Sequence, residues 1–161
     1  MIIEARLKEL EITLPEPTKV PEGFRRTFPF VRVQGNRAYI SGHGPTNPNG
    51  TIATSLLGKV GAEVTKEQAY QSARLTGLAI IASLKQELGD LDKVKSWLRV
   101  FGMVNSAPGF NQQPAVINGF SDLILQVWGQ EAGRHSRSAV GMVELPFGLP
   151  VEIEAEVEIK E

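Results

Sequence analysis

Two long segments of the chain place apolar residues at every third or fourth position, the period of one face of an α-helix. The first runs from residue 66 to 88, between a capping pair, Thr65 and Gln68, and a terminating Gly89. Its apolar row is Ala69, Ala73, Gly77, Ile80 and Leu84. Because the first half of this row is built from small residues, we expect that part of the helix to lie close to a sheet.

A second helix is predicted over residues 113–128 and ends at Gly129. Its apolar face consists of Ile117, Phe120, Leu123, Ile124 and Val127. Residues 2–10 carry a shorter apolar row at the same period and predict an N-terminal helix. Residues 15–23 are rich in Pro and Glu, which is typical of an extended connector.

Short apolar runs predict strands between these helices. Residues 30–33 and 38–41 read as two strands that are joined by a turn at residues 34–37. Residues 42–50 contain two prolines and three glycines and predict a loop. From residue 94 to 104, apolar side chains stand at alternate positions, with Trp97, Phe101 and Met103 between them. We expect a long strand with both faces partly covered.

The C-terminal part, residues 134–155, predicts two strands joined by a Pro-Phe-Gly-Leu-Pro turn, that is, a hairpin. Arg137 opens the first strand and Glu152 stands near the start of the second. In a hairpin, the end of one strand lies beside the start of its partner. Arg137 and Glu152 are therefore not required to be close within one subunit, and they can meet across a subunit boundary.

The order of predicted elements, strand-strand-loop-helix-strand-helix-strand-strand, has too few helices to cover both faces of a sheet. The simplest fold class is α+β, with two helices packed on one face. The other face then carries apolar side chains that need a partner, which we expect to include Val140, Met142, Val143 and Val151. This predicts a homo-oligomer, and we expect a closed ring.

Composition narrows the classes of function. The chain has 161 residues with 17 basic and 18 acidic side chains and no basic block, so the sequence does not support nucleic acid as a partner. It has no cysteine, which removes disulfides, thiolate nucleophiles and Cys-based metal sites, and two histidines alone do not make a metal centre. No segment reads as a secretion signal or a membrane span, so we expect a cytoplasmic location and no membrane partner.

Few side chains are candidates for catalysis. His43 and His135 both fall in predicted loops, and we interpret each as a surface or loop histidine. Gly42-x-Gly44 lacks the third glycine and the following helix of a dinucleotide fingerprint. The serines have no base at triad spacing. Arg137, at the opening of a strand, is either a member of a structural ion pair or a clamp for an anion.

Three segments near the C-terminus form a pattern: Ser136-Arg137-Ser138-x-Val140, then Leu145-Pro146, then Val151-Glu152-Ile153-Glu154-Ala155. This pattern resembles the C-terminal signature of the RidA/YjgF family of imine and enamine deaminases, also known as the L-PSP family. Asn118 in the second predicted helix and Ser41-Gly42 at the end of an early strand match as well. The resemblance covers residues 28–159, almost the whole domain.

The chain looks most like a longer branch of that family, described as YjgF/chorismate-mutase-like and endoribonuclease-like. Residues 61–65, residues 105–110 and the N-terminal extension suggest this branch. The resemblance therefore implies one RidA-like domain over residues 1–161, with an extension at about residues 1–27.

Members of the family are homotrimers of a chorismate-mutase-like α+β fold, a mixed sheet with two helices on one face and clefts between subunits. By resemblance, Arg137 holds the substrate carboxylate and Glu152 positions a water that attacks the imine carbon of a 2-imino acid. The reaction yields a 2-keto acid and ammonia without a cofactor, as in a 2-iminobutanoate/2-iminopropanoate deaminase. The substrate-binding positions that the resemblance implies are Asn118, Ser41, Phe28, Ala139 and Phe110.

This chain departs from the family pattern at three positions. Ala139 stands where cysteine is common, His135 where proline is common, and Phe28 near a position that is commonly tyrosine. These changes keep the anion clamp but alter the expected substrate range. Two alternatives therefore stay open beside the deaminase: a non-catalytic trimer that binds small carboxylates, and, less favoured by the even charge balance, an endoribonuclease.

Overall fold

The computed structural model describes residues 1–161 and contains three helices and five strands, together with two 3-10 turns. In chain order these are α1 (Ile2–Glu9), β1 (Val31–Gln34), β2 (Arg37–His43), α2 (Lys66–Leu88), β3 (Val94–Asn105), α3 (Gln113–Gly133), β4 (Ser136–Met142) and β5 (Val151–Ile159). Every predicted helix and strand is present. Strand β2 continues through Gly42 and His43, two residues that were predicted to lie in a loop. No helix is both long enough and apolar enough to cross a membrane.

The five strands form one mixed sheet in the order β1-β2-β5-β3-β4. Strand β5 is antiparallel to both β2 and β3, whereas β4 is parallel to β3. The predicted hairpin of β4 and β5 is therefore wrong, because β3 lies between them. The connection over residues 143–150, which includes a 3-10 turn at Pro146–Gly148, is long enough to step across β3. That step is about 10 Å, twice the spacing of paired strands.

Both long helices pack on one face of the sheet, as predicted. Alternate residues of β5 point into this layer and are buried: Val151, Ile153, Ala155, Val157 and Ile159. Trp97 of β3 packs edge-on against Phe120 of α3, with ring centroids 5.8 Å apart. The placement of Val151 on the uncovered face was wrong, because β5 begins in the phase that directs this side chain toward the helices.

The small residues Ala73 and Gly77 of α2 pack against α3, a close approach that was not predicted. A Cβ added to Gly119 of α3 would lie 2.0 Å from the carbonyl oxygen of Tyr70, and one added to Gly77 of α2 would lie 2.8 Å from a methyl of Leu123. The capping box of Thr65 and Gln68 is confirmed at the start of α2. In α3, Gly129 has a φ of 81°, so helical geometry breaks where predicted and resumes as far as Gly133.

The opposite face of the sheet has no covering layer. Its centre is apolar, with Phe101 and Met103 half-buried and Val140 37% exposed. Four glutamates of β5 alternate along this face, and two of them pair with neighbouring cations: Arg37 lies 2.6 Å from Glu156 and Lys95 lies 2.9 Å from Glu158. Val143 is 84% exposed and lies just beyond β4.

The N-terminal extension is fixed to the domain at several points. Helix α1 buries Ile3 and Leu7, and the carboxylate of Asp92 accepts hydrogen bonds of 2.8 Å from the first backbone N–H groups of the helix. The following connector pairs with the loop after β2, where the N–H of Glu16 donates to the carbonyl of Pro48 and that of Lys19 to Gly50. This path brings residues 18–30 over the end of β2.

Candidate functional site

A cavity of about 310 Å³ lies at the end of β2, beside the start of β5. The N-terminal connector forms one wall, the end of β2 forms the floor, and the 3-10 turn at Pro146–Gly148 forms another wall. Glu152 is the one carboxylate among the lining side chains. The cavity therefore surrounds one of the two residues that the sequence analysis placed in catalysis.

The Glu152 carboxyl is held against Gly42. A Cβ at position 42 would lie 2.3 Å from Oε2 of Glu152, so only glycine leaves room for the carboxyl in this place. Burial, with a smaller contribution from the charge of Glu154, raises the pKa of Glu152 above its usual range. A carboxyl with a raised pKa both accepts and returns a proton near neutral pH more readily than an exposed one.

His43 lies at the floor of the cavity, and its prediction as a surface or loop histidine is wrong. It is a buried residue of β2, with Nδ1 2.6 Å from the carbonyl oxygen of Ser41 and Nε2 2.8 Å from Oγ of Ser83. Because a carbonyl only accepts, Nδ1 carries the proton and Nε2 accepts from the Ser83 hydroxyl. Burial lowers the pKa of His43 to about 4, so the ring is neutral and both nitrogens are engaged.

Phe28 lines the cavity and Ser41 supports it from outside. The Ser41 hydroxyl donates a hydrogen bond of 2.8 Å to the carbonyl of Pro29, which holds the segment around Phe28 against β2. Phe28 itself is 52% exposed. Of the predicted substrate-binding residues, Phe28 is the one that the structure brings to the Glu152 cavity.

Arg137 lies elsewhere, on the edge strand β4 under α3. Its Nη1 donates to Oδ1 of Asn118 at 2.9 Å and to Oγ of Ser121 at 3.1 Å, and its Nη2 donates to the carbonyl of Pro114 at 3.3 Å. No carboxylate lies within ion-pair distance of this half-buried guanidinium, and burial lowers its pKa. Its remaining N–H groups are available for an anion.

His135 completes the support of Arg137. Its Nδ1 lies 2.8 Å from the carbonyl of Gly133 and therefore carries the proton, so Nε2 accepts from the Ser121 hydroxyl at 2.9 Å. The oxygen of Ser121 then accepts from Arg137. His135 is a half-buried residue of the loop before β4, and burial together with the Arg137 charge lowers its pKa. Ser121 was not predicted, because its role depends on where α3 crosses β4.

The two groups do not meet within one subunit. Arg137 lies opposite Val100 and faces the helices, whereas Glu152 lies opposite Met103 on the uncovered face of the sheet. Ala139 follows Arg137 on the helix side and packs against the core, and Phe110 packs beside Gly61. The structure thus joins Arg137 with Asn118 and joins Glu152 with Phe28. Ala139 and Phe110 lie outside the Glu152 cavity.

Comparison with known proteins identifies the family. The family model "YjgF/chorismate mutase-like, putative endoribonuclease" matches residues 5–149. The chain belongs to this family. Its sequence is also 39% identical to Protein TCP17 of Trypanosoma cruzi over 157 residues, which is 98% of this chain and 94% of that protein. The resemblance to the RidA/YjgF family that the C-terminal pattern carries is therefore confirmed.

Two solved structures of proteins with similar sequences share the fold. Atu1372 from Agrobacterium tumefaciens, whose function is unknown, is 42% identical with a TM-score of 0.83, over 98% of this chain and 92% of that one. A protein from Shewanella oneidensis, described as a "putative endoribonuclease", is 29% identical with a TM-score of 0.86, over 99% and 100% of the two chains. The chorismate-mutase-like α+β fold is confirmed.

Proposed function

We propose that this YjgF-family protein hydrolyses reactive 2-imino acids, or their enamine tautomers, to 2-keto acids and ammonia. The observation that carries the proposal is that one chain holds two separate groups, Arg137 and Glu152, each of which forms only half of a site. Arg137 is a half-buried cation without a carboxylate partner, and Glu152 is a half-buried carboxyl with a raised pKa in a cavity. An anionic substrate with an electrophilic carbon needs both groups, one to bind it and one to activate water.

A homotrimer would bring the two half-sites together. In the proposed assembly, the uncovered sheet faces of three subunits pack inward and bury Phe101, Met103 and Val140. Each cleft then combines the Glu152 cavity of one subunit with Arg137 of its neighbour. Analytical ultracentrifugation should give the mass of three chains, and a monomer at micromolar concentration would contradict this part of the proposal.

In the proposed reaction, water adds to the imine carbon and ammonia is then eliminated. The planar fork of Arg137 binds the substrate carboxylate through two parallel hydrogen bonds. Glu152 accepts a proton from a water, whose oxygen forms a bond to C2 while the C=N electron pair moves onto nitrogen. Glu152 then returns this proton to nitrogen, which gives a carbinolamine. It next accepts the carbinolamine hydroxyl proton and passes it to the amine nitrogen, so that the C–N bond breaks, ammonia leaves and the C=O bond forms. No electron carrier enters this sequence.

The remaining predicted residues take supporting roles in the proposal. Asn118 orients the Arg137 guanidinium, and Ser41 fixes the segment that carries Phe28. Phe28 and Phe110 offer apolar surface to the substrate. Ala139 adds neither a thiol nor a bulky group beside Arg137.

An assay with a competing trap tests the proposal. An amino-acid oxidase generates 2-imino acids in place, and semicarbazide captures those that the protein has not hydrolysed. The protein should lower the rate of semicarbazone formation, and Arg137→Ala should abolish this effect. Arg6→Ala, which removes a partly exposed cation of α1 that pairs only with Glu9, is the matched control and should keep full activity.

A non-catalytic function is the second candidate, favoured by the absence of a phenol at Phe28 and of a thiol at Ala139. It predicts that pyruvate or 2-oxobutanoate raises the Tm while no imine is turned over. Such a result would overturn the deaminase proposal. Endoribonuclease activity is disfavoured, because 17 basic and 18 acidic residues are nearly balanced and the sequence contains no basic block for a phosphate backbone. RNA cleavage by purified protein that is lost in Arg137→Ala would reverse that conclusion.

A further inference from the structure

Four phenylalanine rings stand in the walls of the cavity beside Glu152. Phe24, Phe28, Phe30 and Phe147 all line it, and the rings of Phe24 and Phe147 meet edge to face with centroids 5.0 Å apart. Aliphatic side chains complete the wall: Val20, Ile52 and Leu149. Glu152 stands at one side of this apolar space, so a substrate attacked near its carboxyl would extend its side chain among the rings.

The aromatic wall is held in place from several sides. Backbone hydrogen bonds fix residues 16–19 to the loop at Pro48–Gly50. The Ser41 hydroxyl fixes the C-terminal end of the same segment at Pro29. Phe147 has a φ of 61°, a conformation that is uncommon and unfavourable for a bulky side chain. Strained residues of this kind persist where the surroundings require them and cluster at binding sites. Here the strained backbone places the Phe147 ring against Phe24.

The volume of the cavity indicates the size of its occupant. A dry cavity of about 150 Å³ is enough to bind benzene. The cavity beside Glu152 measures about 310 Å³, so the single methyl of 2-iminopropanoate would leave most of it empty. A phenyl ring or a branched aliphatic chain would fill it and contact the rings at its edges.

We propose that the substrates of this protein are 2-imino acids with aromatic or large apolar side chains, which bind in this cavity. The inference rests on the proposed deaminase function and adds the substrate class. The segment over residues 18–30 then acts as a specificity element, because it supplies Phe24 and Phe28. Among the lining side chains, Glu152 is the carboxylate, and Lys19, Arg25 and Arg26 are the cations.

The competing-trap assay tests this substrate class by comparing kcat/KM for 2-imino acids whose side chains differ in size. The imines of phenylalanine and leucine should give kcat/KM at least about tenfold above that of the alanine imine, the discrimination that apolar pockets typically reach. Phe24→Ala should lower the value for the phenylalanine imine by about tenfold and change the alanine imine less than twofold. Leu75→Ala, which shortens an exposed apolar side chain of α2, is the control.

Two outcomes would overturn the substrate class while sparing the deaminase. One is equal turnover of small and large imines with no effect of Phe24→Ala or of the milder Phe24→Leu. The other is a preference for the imines of acidic amino acids, which would assign recognition to Arg25 and Arg26. If no imine is turned over, measurements of keto-acid binding distinguish the proposed aromatic pocket from the proposed deaminase activity. A larger Tm rise with phenylpyruvate than with pyruvate, lost in Phe24→Ala, would support the aromatic pocket and refute only the catalysis.

Discussion

Replacing Gly42 by alanine should displace the Glu152 carboxyl without removing it. The new Cβ would lie 2.3 Å from Oε2, 3.0 Å from Cδ and 3.3 Å from Cγ of Glu152. Since favourable contacts between heavy atoms begin at about 3.5 Å, the carboxyl oxygen must move by about 1 Å. The atoms that clash are the far end of a flexible side chain, and Gly42 has no positive φ, so the fold should accept the alanine.

The expected effect on catalysis follows from that displacement. A misplacement of about 1 Å costs roughly 100-fold in rate when a reacting group depends on its position. Gly42→Ala should therefore lower kcat/KM for imine hydrolysis about 100-fold. Binding of a keto acid should change far less, because Arg137 is untouched. The competing-trap assay gives kcat/KM, and calorimetry gives the Kd for the keto acid.

A matched control distinguishes the effect of moving the Glu152 carboxyl from the effect of changing a neighbouring charge on β5. Glu154→Gln alters the next residue on the same face of β5, which is exposed and lies outside the cavity. It should retain the maximal rate and move the acid limb of the pH profile to lower pH, because the Glu154 charge contributes to the raised pKa of Glu152. Wild-type kcat/KM in a Gly42→Ala protein with unchanged Tm would refute the assignment of Glu152 as the base.

Three further predictions concern stability and binding. Burial raises the pKa of the Glu152 carboxyl above its usual range, so the cost of ionising it in the folded state lowers stability as the pH rises through the folded-state pKa. Glu152→Gln should therefore raise the Tm at pH 7.5 and leave it unchanged at pH 4. An equal rise of the Tm at both pH values would contradict this sign. His135→Ala should weaken keto-acid binding about fivefold in calorimetry, since the support of Arg137 loses a hydrogen bond of about 1 kcal/mol, and an unchanged Kd would exclude that role. Gly119→Ala should lower the free energy of unfolding in urea by about 2 kcal/mol, because its Cβ would meet the Tyr70 backbone 2.0 Å away, and wild-type stability would show that α2 and α3 separate easily.

Periodicity located the secondary structure but did not determine how the strands pair. The capping box at Thr65 and the alternation along β3 are local signals, and the structure confirms the elements that they predict. The alternation of apolar and polar residues indicates which residues share a face of a strand, but it does not indicate which other strand pairs with it. Residues 134–155 therefore looked like a hairpin, although β4 pairs only with β3. The face of Val151 depends on this pairing, and its prediction failed for the same reason.

The sequence pattern singled out the charged residues of the candidate site and one of their supports, Asn118, but not the supports that depend on contacts between distant elements. Arg137 and Glu152 lie in a sequence pattern, so they were found without a structure. Ser121 and the close approach of Gly42 to Glu152 require the crossing of elements that are distant in sequence. His43 was misjudged because nothing in its neighbours along the chain indicates that Ser83 would pair with its ring.

The position of β5 has a consequence for synthesis of the protein. The strand encoded last, Val151–Ile159, occupies the centre of the sheet and pairs with both β2 and β3. Until these residues leave the ribosome, the nascent chain carries two unpaired strand edges and an incomplete core, the kind of surface that favours aggregation. Glu152 arrives with the same strand. The nascent protein thus acquires its continuous five-stranded sheet and its proposed base in a single step, and a chain that stops before residue 151 would have neither.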